Sequence, residues 1–148
     1  MWPETEEQVA IERLQINQLL EAYQPLIQKT LTTEPDFIEI SALATMLHSF
    51  YTGLENIFKR IAHEIDGAVP SGPTSHVALL IQMSRATANR PAVISESLKI
   101  RLSAFLGFRH VFRHAYSFQL DWEKMRNLVS QSQPTWQEFQ EELDLFFS

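Results

Sequence analysis

The chain has 148 residues, of which 45% are hydrophobic, so it is long enough to bury a full core as one domain, assigned here to residues 1–148. It contains no cysteine, which excludes a disulfide framework, a thiolate metal site and a cysteine nucleophile. The net charge of −6 argues against a general nucleic-acid binder. The lack of a signal peptide or a long apolar run predicts a cytoplasmic protein that contacts no membrane.

Two long helices are predicted first. Apolar residues recur every three to five positions over residues 5–31, and Pro25 is expected to kink or divide this helix. A second helix is predicted over residues 36–65. The glycine- and proline-rich segment 66–73 is then predicted to be a loop, because a helix does not cross such a run.

The second half of the chain is predicted to be helical as well. Helices are expected over residues 75–84, 96–118, 121–129 and 136–147. Ser95 or Ser97 can cap the second of these helices, Asp121 the third, and Pro134 is expected to separate the last two. No stretch alternates with the period of a strand for long, so the fold class is predicted to be all-α, a bundle of five to six helices.

Basic residues are concentrated in one part of this acidic chain. Residues 67–120 contain six basic residues and a single acidic one, Glu96, whereas the remainder contains six basic and 17 acidic residues. Such asymmetry predicts a local site for a polyanion. The alternative is that some of these arginines pair with acidic residues of other helices.

Residues 109–116 combine two arginines, two histidines and a tyrosine. At about 100° per residue, a helix places Arg109, Arg113 and Tyr116 on one stripe. His110 and His114 fall on the adjoining stripe. The opposite arc is expected to be core: Phe108, Val111, Phe112 and Ala115. Arginine binds phosphate as a rigid fork and histidine transfers protons near neutral pH, so this pattern predicts cleavage of a phosphodiester without a metal or another cofactor.

Three further features carry weaker signals: the spacing of the two histidines, one carboxylate, and the histidines that stand singly. His110 and His114 have a spacing that can hold zinc, but the neighbouring arginines would repel a cation, so no metal site is expected. Glu55 either orients a catalytic histidine or pairs with Lys59 one turn later, and the second reading is slightly favoured. The remaining histidines stand singly and are interpreted as structural: His48, His63 and His76.

The spacing Arg-x4-His-x-Tyr of residues 109–116 resembles the motif of HepT-type toxins in the HEPN ribonuclease superfamily. Segments 50–62, 66–72, 90–95 and 120–122 also resemble that family, and the resemblance covers most of residues 1–130. One departure is Ser75, because the family has a bulky aromatic residue before the position of His76.

The resemblance implies a HEPN-type bundle that forms a homodimer, with the two motif helices facing each other across a cleft that admits RNA. It implies a metal-independent endoribonuclease toxin of a type II- or VII-like toxin–antitoxin pair, in which the 2′-hydroxyl of the RNA attacks the phosphate. Arg109 and His114 are the expected catalytic residues. His110 and Arg113 are the expected substrate-binding residues.

The resemblance also implies a partner, a minimal nucleotidyltransferase antitoxin that neutralises the toxin by adenylylating Tyr116. The sequence leaves two alternatives open. The chain could be a non-catalytic HEPN module that only binds RNA or a nucleotidyltransferase, or it could be a plain dimeric helical scaffold.

Overall fold

A computed structural model describes residues 1–148, apart from the side chain of Ser117. Within this described part the chain forms five α-helices and no strand, which confirms the predicted all-α class. The helices are α1 (Pro3–Lys29), α2 (Phe37–Ile61), α3 (Ser75–Met83), α4 (Glu96–His114) and α5 (Trp122–Phe147). A π-helical turn, Ala62–Asp66, extends α2, and a 3-10 turn, Ser117–Gln119, precedes α5. None of the described helices is both long enough and apolar enough to span a membrane.

Helix α2 lies at the centre of the bundle. Twelve of its 25 residues are buried, and α1, α3, α4 and α5 all pack against it. Phe50 of α2 makes edge-on contacts with Phe105 of α4 and Trp136 of α5, at centroid distances of 5.4 and 6.4 Å. The indole Nε1 of Trp136 donates to Asn17 of α1 at 2.7 Å, so this buried polar group is satisfied.

The close approach of α1 to α2 depends on a glycine. A Cβ atom at Gly53 would lie 2.7 Å from Cγ1 of Ile16, so a larger residue would force the Ile16 side chain or the helices to move. Gly67 ends the π-helical turn that extends α2. Its φ of 75° is a conformation that glycine adopts without strain.

Local capping signals act as the sequence predicts at two helix starts. The hydroxyl of Ser95 accepts a hydrogen bond from the backbone N–H of Leu98 at 3.1 Å. The carboxylate of Asp121 accepts one from the N–H of Glu123 at 3.0 Å. Residue 97 lies inside α4, so Ser95 and not Ser97 is the cap.

The predicted division of the first helix at Pro25 and the predicted separation of two helices at Pro134 are wrong, because each proline lies inside a continuous helix. The alternative for Pro25, a kink, stays a prediction. Both prolines are exposed, and so are Glu21 and Ser130, whose carbonyls lose their helical partners. Water can therefore hydrate those carbonyls at little cost. The apolar stripe continues across each proline on the opposite face, and its packing keeps the helix intact.

The predicted end of the motif helix at residue 118 is also wrong. Helix α4 ends at His114, and Ala115 is extended with φ −110° and ψ 144°. The chain has to reverse here so that α5 can pack along α4. Gln119 closes the reversal, because its side chain accepts from the N–H of Tyr116 at 2.9 Å and its own N–H donates to the Tyr116 carbonyl at 2.8 Å.

A buried ion pair joins the π-helical turn that extends α2 to the connection before α4. Nε and Nη2 of Arg90 donate to the two carboxylate oxygens of Asp66 at 2.6 and 2.7 Å, and the two side chains are only 0% and 7% exposed. Burial by itself raises the pKa of Asp66, but the hydrogen bonds from Arg90 and Gln82 and the charge of Arg90 outweigh burial and hold this pKa below its usual value.

We expect the Arg90→Ala variant to lose about 3–5 kcal/mol of unfolding free energy, because it leaves the Asp66 carboxylate buried without its partner. Urea unfolding followed by circular dichroism measures the loss. Arg85→Ala, the same substitution at an exposed arginine nearby, should change stability by no more than about 0.5 kcal/mol. Equal effects of the two substitutions would contradict a structural role for the Arg90–Asp66 pair.

Candidate functional site

The residues predicted to form the site gather at the C-terminal end of α4, with Tyr116 just beyond it. His110 and His114 are exposed, and their ring centroids lie 4.6 Å apart. Arg113 is exposed in the same last turn. Cations are favourable at a helix C-terminus because they complement the partial negative charge of its carbonyls.

Arg109 contacts α3. It is half-buried, and its Nη1 lies 3.4 Å from Nε2 of His76. The other ring nitrogen of His76, Nδ1, lies 2.7 Å from Oε2 of Glu55, which is 3% exposed. The structure therefore pairs Glu55 with His76 rather than with Lys59, and it places His76 beside a site residue instead of alone.

Several polar atoms around Arg109 are buried without a hydrogen-bond partner among the described residues: Tyr51 Oη, Arg109 Nε and His48 Nδ1. Burial raises the pKa of Tyr51, and the negative charge of Glu55 raises it further. Burial lowers the pKa of His48, and the positive charges of Arg109 and Arg113 lower it further. Charged residues close to both groups therefore shift their pKa values in addition to burial.

A cleft of about 490 Å³ lies between α3 and α4. Its polar lining includes His76, Lys99, Arg109 and His110, and its apolar lining includes Val77, Leu80, Ile81 and Leu106. His114, Arg113 and Tyr116 do not line it. The cleft therefore brings together one expected catalytic residue and one expected binding residue, and it leaves the other three site residues on the surrounding surface.

Half of the basic residues in segment 67–120 are neutralised by carboxylates. The ion pairs are Arg90 with Asp66, Lys99 with Glu96 and Arg101 with Glu138. No ion pair involves Arg85, Arg109 or Arg113 in the part of the chain that the structure describes. Three arginines of the basic segment are therefore left without an ion pair among the described residues. Two of them, Arg109 and Arg113, lie at the end of α4.

One face of α4 is exposed along most of the helix, and we call it the α4 stripe: Ile100, Ala104, Gly107 and Val111. Val111 was expected in the core, but it is 52% exposed and belongs to this stripe. A Cβ atom at Gly107 would meet nothing within 4 Å, so packing inside the chain does not require glycine there. The stripe has two large and two small apolar residues.

Tyr116 lies outside the helix, so it does not share a stripe with Arg109 and Arg113. Its side chain is 73% exposed, and its ring stacks on Phe118 at a centroid distance of 5.7 Å and an angle of 7°. The described residues contain no group of three or more histidine, aspartate or glutamate side chains placed to hold a metal ion.

Sequence reasoning did not find that Glu55, His76 and Arg109 meet. Glu55 and His76 are 21 residues apart, and His76 and Arg109 are 33 residues apart. No short motif relates such distant positions. The one available signal was a carboxylate within the apolar stripe of α2, because a buried charge requires a partner.

An all-α bundle in which α4 carries an Arg-x4-His pair at its end defines a HEPN-type helical protein. The family described as HepT-like protein matches residues 42–148, and the chain therefore belongs to the HepT-like family. This match confirms the resemblance seen in the sequence and supports a HEPN-type toxin module. No curated protein and no solved structure gives a significant match.

Proposed function

We propose that this chain is a metal-independent endoribonuclease toxin of a toxin–antitoxin pair. One observation carries the proposal: the guanidinium of Arg109 has no carboxylate partner among the described residues, and it shares the end of α4 with the exposed imidazole of His114. An arginine that no acid neutralises is available for phosphate, and an exposed histidine is available for proton transfer.

The proposed chemistry uses the substrate's own 2′-hydroxyl. A base removes the proton of that hydroxyl, the oxygen attacks the adjacent phosphorus, and an acid protonates the departing 5′-oxygen. His114 is the proton-transfer residue and Arg109 stabilises the charge that builds up on the phosphate. The products are a 2′,3′-cyclic phosphate and a 5′-hydroxyl. His110 and Arg113, exposed beside them, bind the RNA backbone.

A second copy of the chain is part of the proposal. One His114 cannot act as base and acid in the same step, whereas a two-fold dimer brings two copies of the residue together. The α4 stripe supports this arrangement, because Ala104 and Gly107 permit close approach of another helix and Ile100 and Val111 are apolar area left uncovered.

We also propose that the functional unit is a single domain spanning residues 1–148. Helix α1 lies outside the matched range, yet it packs along α2. Its Asn17 satisfies the buried indole of Trp136. These contacts make α1 part of the same core.

The antitoxin in this proposal is a minimal nucleotidyltransferase that modifies Tyr116. The phenol oxygen attacks the α-phosphorus of ATP, an oxygen–phosphorus bond forms, pyrophosphate leaves, and the phenol proton passes to solvent. Support comes from the exposure of the Tyr116 side chain, which is 73%, and from its position just beyond the last turn of α4. An adenylyl group at that position would carry negative charge into the basic end of α4.

Purified protein should cleave a labelled single-stranded RNA in the presence of EDTA and leave a 2′,3′-cyclic phosphate. His114→Ala should lower the rate by a factor of about 10² to 10⁴, because it removes the proton-transfer group. His63→Ala, at an exposed histidine away from α4, should retain wild-type activity. Full activity in His114→Ala would remove His114 from the mechanism, and no cleavage by unmodified wild-type protein would favour a non-catalytic binding module.

Gly107→Leu should convert the dimer to a monomer, because the new side chain would occupy the space of the second helix. The monomer fold should persist, since a Cβ atom at this exposed position meets no atom within 4 Å and leucine favours a helix over glycine. Sedimentation equilibrium measures the mass. Two controls should stay dimeric: Gly107→Ala, and Ala10→Leu, which enlarges a small residue at an exposed position of α1. A dimeric Gly107→Leu variant would place the interface elsewhere.

Incubation with ATP and a cognate minimal nucleotidyltransferase should add AMP to Tyr116 and suppress RNA cleavage. Tyr116→Phe should block the mass increase in intact-protein mass spectrometry, because it removes the attacking oxygen. Tyr23→Phe, the matched change at a half-buried tyrosine, should leave the modification unaffected. Modification of the Tyr116→Phe variant would assign the acceptor to another residue.

A further inference from the structure

A hydrogen-bonded chain crosses three helices next to the cleft. Oε2 of Glu55, on α2, lies 2.7 Å from Nδ1 of His76 at the start of α3. Nε2 of the same ring lies 3.4 Å from Nη1 of Arg109 on α4. His76 therefore stands between a carboxylate and a guanidinium that form no direct ion pair within the described structure.

The donors and acceptors of these groups determine which atom donates in each of the two hydrogen bonds. A guanidinium has only donors, so Nε2 of His76 has to accept from Arg109. The neutral ring then carries its proton on Nδ1, which donates to Glu55. This contact gives the carboxylate, which is 3% exposed, the hydrogen bond that its burial requires.

Arg90 is bound by the rest of the protein in a different way from Arg109. Arg90 pairs directly with Asp66 through Nε and Nη2, and its Nη1 donates to the carbonyls of Arg85 and Pro91 at 2.9 Å. All three nitrogens of Arg90 are thus engaged by the protein, and its side chain is 0% exposed. Arg109 makes a single, longer contact, from Nη1 to Nε2 of His76 at 3.4 Å.

The difference decides what each arginine can bind. A carboxylate placed directly on Arg109 would occupy two donors of its fork and cancel its charge, as Asp66 does to Arg90. A neutral imidazole occupies one donor and leaves the charge in place. It also limits the rotamers of a flexible side chain before the ligand arrives, which lowers the entropy lost on binding.

We propose that His76 is the positioning residue for Arg109: anchored by Glu55, it holds the guanidinium at the cleft while leaving its charge unneutralised for an RNA phosphate. The identity of the ligand rests on the proposed ribonuclease function. The placement of Arg109 by His76 does not, and the experiment separates the two.

Two variants of His76 distinguish its two nitrogens. His76→Asn puts an amide nitrogen near the place of Nδ1, so it can still donate to Glu55, but it has no acceptor for Arg109. His76→Gln reaches the place of Nε2 and can accept from Arg109. Both changes are polar and neutral at a side chain that is 30% exposed, and circular dichroism checks that the helices are retained.

The first measurement is the order parameter of the Arg109 Nε–H bond from ¹⁵N relaxation, with the signal assigned from the Arg109→Lys variant. We expect a rigid bond in wild type and in His76→Gln, and an order parameter below ~0.6 in His76→Asn. The second is single-turnover RNA cleavage, which should slow about 10- to 100-fold in His76→Asn and recover in His76→Gln. His63→Asn should change neither quantity.

An Arg109 that stays rigid in His76→Asn would overturn the proposal, whatever the cleavage rate. The tautomer provides a test that needs no variant: a long-range ¹⁵N spectrum of wild type at mildly alkaline pH should show the His76 proton on Nδ1, and a proton on Nε2 would also overturn it. If wild type fails to cleave RNA while Arg109 loosens in His76→Asn, the ribonuclease proposal is contradicted and the positioning role is supported.

Discussion

The burial of α2 is the constraint on which the rest of the structure depends. The other four helices pack against it, and nearly half of its residues are removed from solvent. A carboxylate in such a helix has to be hydrogen-bonded, because an unpaired charge in the interior costs several kcal/mol. Glu55 is that carboxylate, and His76 of α3 satisfies it at 2.7 Å. The docking of α3 on α2 therefore satisfies this buried group and brings His76 beside Arg109.

The end of α4 carries two arginines, Arg109 and Arg113, that form no ion pair among the described residues. The helix supplies part of the compensation, because the carbonyls of its last turn present partial negative charge to Arg113 and His114. Elsewhere in the basic segment the protein uses acidic residues instead, as in the pair of Arg101 with Glu138. An acidic chain can thus present a small basic surface, and local geometry rather than net charge decides where a polyanion is attracted.

Helical geometry separates the two residues that the proposed chemistry needs. Arg109 and His114 are five positions apart, which places them about 140° apart around the helix axis. One is half-buried beside the cleft, and the other is exposed at the edge of the α4 stripe. This separation is the physical reason to propose a site that a second copy completes, with the exposed small residues Ala104 and Gly107 as the place where two helices meet.

The sequence by itself determined the helical class, the caps Ser95 and Asp121, and the presence of Arg109 and His114 on one helix, because periodicity and capping act over a few neighbouring residues. Only the tertiary structure decided that Pro25 and Pro134 leave their helices unbroken, because packing of the opposite face and hydration of the exposed carbonyls outweigh the local preference. The tertiary structure alone brings Glu55, His76 and Arg109 together. Contacts across 21 and 33 residues depend on how three helices pack, and no pattern within a single helix predicts them.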